Sequence, residues 1–189
     1  CIYSDISLSV DQNFFATIGS ESKYVLTWNS ESFATKNNIN LNTNTTNINM
    51  AKTLCIFNRN LVGVGLTNCS IRFYALGKYE GILIREIKDV HIKGINKFIC
   101  SKNYNFFMTS GEEGLIKVWD SNMIFNFYKS YQQYIGHSSG VNGLISIDNK
   151  GIIISSSNNS GIYFWNFMGD IINVNYEIIK ELEQLECQS

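Results

Sequence analysis

Apolar and polar positions along this chain fall into short runs that recur, not into one long amphipathic period. Four segments line up on a single aromatic position: FFATIGSESKYVLTWN ending at Asn29, LVGVGLTNCSIRFYA ending at Ala75, FFMTSGEEGLIKVWD ending at Asp120, and IIISSSNNSGIYFWN ending at Asn166. Their anchors, Trp28, Tyr74, Trp119 and Trp165, stand 46, 45 and 46 residues apart. Each segment reads as an apolar or small-residue strand (Phe106–Gly111, Ile152–Ser157), a cluster of turn formers, and a β-branched and aromatic strand (Ile116–Trp119, Ile162–Trp165). Upstream of each pair lies a further apolar stretch: ISLSV at 6–10, TLCIF at 53–57, INKFIC at 95–100 and VNGLISI at 141–147. A fourth strand fits between repeats, as at Ile82–Ile87 and Phe127–Tyr134.

Four antiparallel strands in each repeat of this length make an all-β chain of β-propeller blades, about 4–50, 51–90, 91–136 and 137–176, within a domain spanning 1–176. The third repeat closes on the dipeptide Trp119–Asp120, and the fourth closes on Trp165–Asn166 and opens on Gly136–His137. The chain has two histidines, His91 and His137, and each stands 28 residues before its tryptophan. These residues resemble the WD-repeat family. The resemblance implies a hydrogen-bonded set of histidine, strand hydroxyl, turn acid and tryptophan inside each blade. By position this would be His91, Thr109, Glu113 and Trp119 in the third repeat, and His137, Ser155, Asn159 and Trp165 in the fourth. The turn aspartate of the family is replaced by Glu113 and Asn159, so the acid is longer in one blade and missing in the other. The second repeat has Tyr74 for tryptophan, with Thr46, Val64 and Asn68 at the polar positions. The first has one extra turn residue and no histidine.

A blade buries both faces only between neighbours. Propellers of the resembled family usually close with seven blades, so four imply a ring completed by chain preceding Cys1 or by a partner chain. Segment 30–50 (SESFATKNNINLNTNTTNINM) occupies the place of the first blade's outer strand and the following loop. Its low complexity predicts a mobile loop or a poor edge strand. In the tail 177–189, Ile178, Ile179, Leu182 and Leu185 recur at helical spacing among glutamates, predicting a short C-terminal helix on the rim or the start of a helical arm.

Composition narrows the classes. A 44% apolar, 16% charged chain is not a disordered polyelectrolyte, and a net charge of −1 gives no field that would gather nucleic acid or an acidic membrane. Five cysteines without a CxxC pair point to free thiols, not to a disulfide framework or a zinc site. With both histidines assigned to blades, no Ser/His/Asp or Cys/His constellation remains, and the adjacent Glu112 and Glu113 read as one solvated turn. No enzymatic role, cofactor or small-molecule substrate is expected. The run IREIKDVHIKGINK, 84–97, reads as an outer strand and its loop, with Arg85, Lys88, Lys93 and Lys97 available to an acidic partner such as a tubulin surface or RNA. The resemblance places the partner surface on the loops that precede the inner strands and join the second and third strands. Here these carry Lys93, Glu112, Ser138, Ser139, Asn158 and Asn159. The fourth repeat is similar in tone to repeats of large cytoskeletal, ciliary and centriolar WD-repeat proteins. The expectation is a non-catalytic, cytoplasmic scaffold for other proteins; the alternative is an RNA-associated subunit of a ribosome-assembly or RNA-processing complex.

Overall fold

Turn chemistry sets where strands end at two clear points. In the turn 59–60, the Asn58 side-chain oxygen accepts from the Asn60 amide at 2.8 Å, folding the chain back sharply. At 67–70, Asn68 accepts from Ser70 N at 3.2 Å while Cys69 takes φ +64°. The protein is described by a computed structural model, which covers residues 3–9, 11–19, 23–41, 50–77, 81–101, 103–124, 130, 132–159 and 161–171.

The strands form four antiparallel sheets, or blades, each hydrogen-bonded in chain order. Blade 1 holds β1 (Tyr3–Leu8), β2 (Phe14–Gly19), β3 (Tyr24–Asn29) and β4 (Thr35–Asn40). Blade 2 holds β5 (Ala51–Asn58), β6 (Leu61–Leu66), β7 (Ile71–Ala75) and β8 (Leu83–Ile87). Blade 3 holds β9 (Ile95–Cys100), β10 (Phe106–Gly111), β11 (Leu115–Asp120) and β12 (Gln132–Ile135). Blade 4 holds β13 (Val141–Ile147), β14 (Ile152–Ser157) and β15 (Gly161–Asn166). Ile171 bridges Trp165 at the edge where a fourth strand of blade 4 would start.

Because strand side chains alternate, each blade has two faces, and the core lies between blades, not within them. Val62, Val64 and Tyr74 of blade 2 pack on Ala16, Ile18 and Val25 of blade 1. Phe98, Phe107 and Trp119 of blade 3 pack on Ile71 and Phe73 of blade 2. Ile153 and Trp165 of blade 4 pack on Met108, Ile116 and Val118 of blade 3. The aromatic edge-to-face contacts at the second junction are close: Phe73 lies 5.8 Å from Phe107 and Phe57 5.7 Å from Phe98. Gly63 makes that approach possible, since a Cβ there would stand 2.5 Å from the Phe98 ring.

The inner strands β1, β5, β9 and β13 are neighbours in that order and line an open cavity of about 430 Å³. Asp5 ties three of them together. It accepts from Thr53 Oγ1 at 2.6 Å and Leu54 N at 3.1 Å, and pairs with Lys97 Nζ at 2.6 Å.

Four of the sequence expectations meet the structure here. Segment 30–50 holds the outer strand of blade 1 at the place read for it: β4 is the edge strand, pairs with β3 through one register shift, and is anchored by the buried Ile39, with the buried Leu41 directly after it. Residues 42–49 lie outside the described residues. The described outer strand of blade 3 runs over Gln132–Ile135, after a 3-10 turn over Ser121–Ile124 in which Asp120 Oδ1 accepts from Asn122 N at 2.8 Å; residues 125–129 and 131 of the stretch between them lie outside the described residues. The run 84–97 also reaches past the loop into inner strand β9, where Lys97 is engaged by Asp5. The predicted C-terminal helix, 177–189, lies outside the described residues.

Candidate functional site

In blade 3 the register of β10 against β11 sets Thr109 opposite Lys117, so that its hydroxyl stands between the Trp119 indole and the imidazole of His91, which arrives from the loop before β9. Trp119 Nε1 donates to Thr109 Oγ1 at 3.0 Å, and Thr109 Oγ1 lies 2.8 Å from His91 Nε2. His91 Nδ1 contacts the Glu113 carboxylate. Burial holds the His91 ring below its ordinary value, and the contact with His91 helps hold Glu113 ionised against the opposing effect of its own burial. A neutral imidazole carrying its proton on Nδ1 satisfies the whole chain: indole N–H to hydroxyl, hydroxyl to Nε2, Nδ1–H to carboxylate. The extra methylene of glutamate fits because residue 111 is glycine; a Cβ there would collide with both His91 and Glu113.

Blade 4 builds the same set without its acid. Trp165 Nε1 donates to Ser155 Oγ at 2.7 Å, and Ser155 Oγ lies 2.6 Å from His137 Nε2. Asn159 is exposed and uses its backbone amide, to Ser139 Oγ at 3.2 Å. His137 Nδ1 therefore has no hydrogen-bond partner among the described residues. Its ring stacks on Tyr163 at 4.4 Å, and burial lowers its pKa. In blade 1 the described residues hold the tryptophan–hydroxyl pair alone, Trp28 Nε1 to Thr17 Oγ1 at 2.9 Å.

Blade 2 solves the same problem with an ion pair. Arg72, buried beside Tyr74, contacts Glu86 through Nε at 2.9 Å and donates to the Leu41 carbonyl of blade 1 at 2.9 Å. Ser70 Oγ joins Asn68 at 2.7 Å and Glu86 at 3.2 Å. Of the four residues read for this repeat, Asn68 takes part, Val64 and Tyr74 are core, and Thr46 lies outside the described residues. The Arg72–Glu86 exchange was not read from the sequence. Its signal was a cation and a carboxylate placed to face each other on paired strands, β7 and β8.

The loops before β9 and β13 and the β10–β11 turn converge on one end of the blades. Glu112 N donates to Gly94 O at 3.0 Å, and Gly114, at φ +87°, would bring a Cβ to 2.7 Å from His137 O. Here a polar ladder crosses three blades. Lys52 Nζ donates to Glu112 at 2.7 Å and to Asn96 at 2.8 Å; Asn96 donates to Asn142 at 3.1 Å, and Asn142 to Asn158 at 2.9 Å. Ser139 Oγ bonds Ser157 at 3.2 Å. Glu112, Ser139, Asn158 and Asn159 thus lie on this end, with Lys93 and Ser138 exposed in the two loops. Sequence reading missed Lys52, Asn96 and Asn142, which occupy the second position of three successive inner strands. The adjacent carboxylates do not form one solvated turn: Glu112 faces Lys52 at the surface, whereas Glu113 is buried against His91.

Cys55, Cys69 and Cys100 are free thiols, and burial raises the Cys55 pKa. Among the described residues no group of three or more His, Cys, Asp or Glu side chains is placed to hold a metal ion, and no helix is long and apolar enough to cross a membrane.

The family model for the WD domain, G-beta repeat, matches residues 83–120 and 128–166, which end on Asp120 and Asn166 at the close of β11 and β15. No curated protein matches the sequence. WD40 propellers generally bind other proteins and are typically non-catalytic. With two repeats matched and four successive blades, the chain is a β-propeller that carries WD repeats at residues 83–120 and 128–166.

Proposed function

We propose that this chain is a non-catalytic scaffold of a larger cytoplasmic assembly, of cytoskeletal, ciliary or centriolar type, and that it engages protein partners through the loop end that carries the Lys52–Asn158 ladder. The ladder carries this reading. It is a contiguous row of amide and charged groups, held in place by mutual hydrogen bonds and exposed at Glu112 and Asn158. Such a row is pre-ordered for hydrogen-bonded recognition, and its mixed charges favour register over long-range steering. Lys88 and Lys93, exposed beside it, add a small basic edge suited to an acidic surface such as that of tubulin. No cofactor or small-molecule substrate is part of this reading.

Co-sedimentation with taxol-stabilised microtubules tests it directly. The chain should pellet with the polymer, and the double substitution Lys93→Glu, Asn158→Asp should raise the dissociation constant about tenfold at unchanged melting temperature, an effect worth about 1.4 kcal/mol. A chain that stays in the supernatant at every microtubule concentration would remove the cytoskeletal assignment.

A further inference from the structure

Each junction sets the inner strands of two blades side by side, and one residue from each strand meets the other across it. At the first junction these are Ser7, opposite Ala16 in blade 1, and Ile56, opposite Val62 in blade 2. Their contact is direct, since Ser7 Oγ accepts from Ile56 N at 3.1 Å. At the second junction the same register brings Cys55 and Cys100 together. Cys55 stands opposite Gly63 in blade 2, and Cys100 stands opposite Phe107, the partner of Trp119, in blade 3. At the third the places fall to Ile99 and Ser146, opposite Met108 and Ile153. Among the described residues, thiol meets thiol at the middle junction alone.

Both cysteines pack into the aromatic core of that junction, beside Phe57, Phe98 and Phe107. Cys100 Sγ donates to the Ile56 carbonyl at 3.2 Å, and Cys55 Sγ approaches the same oxygen at 3.9 Å. Cys55 also hydrogen-bonds to Cys100. Cys55 is buried and Cys100 half-buried, and both line the cavity between the inner strands.

We propose that Cys55 and Cys100 are a peroxide-oxidisable pair whose disulfide joins blade 2 to blade 3. A disulfide forms only where two sulfurs already face each other at short range, and the packing of this junction supplies that contact. Burial pushes the Cys55 thiol up, so the more exposed Cys100 meets the oxidant first. Its thiolate attacks one oxygen of hydrogen peroxide. The S–O bond forms, the O–O bond breaks, and the departing hydroxide takes up the thiol proton as water. The Cys55 thiolate then attacks the sulfenic sulfur. The S–S bond forms, the S–O bond breaks, and a second water leaves with the second thiol proton. Two thiols lose two electrons and two protons in all, and one peroxide becomes two waters. Neither cysteine takes part in the loop-end ladder, so the inference stands whichever protein that end binds.

Titration of the reduced 189-residue chain with hydrogen peroxide, followed by non-reducing peptide mapping, reads the outcome. Of the five thiols, the first two lost should appear in one linked Cys55–Cys100 peptide and return with dithiothreitol. The link closes a long loop, so melting temperature should rise by about 5 °C and fall back on reduction. Cys55→Ala should abolish the link and leave Cys100 as a sulfenic acid that dimedone traps. Cys100→Ala, at the half-buried position, should abolish the link as well, and it serves if Cys55→Ala does not fold. Links formed only between other cysteines, oxidation of Cys100 without a bond to Cys55, an unchanged thiol count, or a link that leaves melting unaltered would each overturn the proposal.

Discussion

At the scale of single residues, the two histidines form an internal comparison. They have the same hydroxyl and the same indole, but only His91 has a carboxylate. Asn159→Asp supplies a charge where blade 3 has Glu113. It should stabilise blade 4 by about 1 kcal/mol and raise the His137 pKa, read by thermal melting and by NMR titration of the ring. An unmoved His137 titration would mean that the shorter acid does not reach. Burial sets the folded values of both histidines below the ordinary 6.5. Between the folded value and 6.5 the unfolded chain binds protons that the folded chain refuses. Their contribution to stability is therefore complete above about pH 6.5 and lost as pH falls through the folded values. Glu113, held below its ordinary 4.5, adds a second loss at lower pH with the same sign. Melting temperature should thus fall on acidification from pH 7.5 to 5, and less steeply in His137→Gln. The positions of the set were legible from the spacing of His91 and His137 to their tryptophans. Which turn acid arrives was not, because reach depends on Gly111, a residue whose importance lies in an atom it lacks.

At the scale of elements, the repeat period located the strand pairs of each blade, since alternation and turn formers determine a strand before any packing does. Outer strands were harder to read. β4 is polar at most positions and is held by Ile39, with Leu41 just beyond it, while a 3-10 turn in which Asp120 captures the backbone of Asn122 follows β11. Neither depends on composition. The exchange of the His–hydroxyl–Trp set for Arg72 and Glu86 in blade 2 was illegible for a related reason: the pairing of β7 with β8 creates it, and the family pattern does not contain it. Gly63 marks where one sheet approaches another most closely. Gly63→Ala should cost about 1–3 kcal/mol by forcing the Phe98 ring aside, measured as a lower denaturant midpoint at unchanged slope. A midpoint equal to the parent's would mean that the ring at the blade 2–blade 3 junction can move freely.

At the scale of the whole molecule, the chain is a one-dimensional stack whose stability adds along its axis from blades and junctions. The polar ladder from Lys52 to Asn158 and the Asp5–Lys97 pair span junctions, so they link the rigidity of the loop end to that of the stack. The one-way order of faces, the tryptophan or tyrosine side of each blade onto the preceding blade, has a further consequence in time. Among the described residues blades 2 and 3 are clamped from both sides and blades 1 and 4 from one, so openings should begin at the ends and move inward. Amide hydrogens of β6 and β10 should exchange with solvent more slowly than those of β2 and β14, although all four are central strands with similar ladders. Mass spectrometry of deuterated peptides reads that gradient, and uniform protection across the four strands would show the stack opening as one unit. Covering the two outer faces would then slow the end blades selectively, turning the arrival of a neighbour into a change in lifetime far from the point of contact.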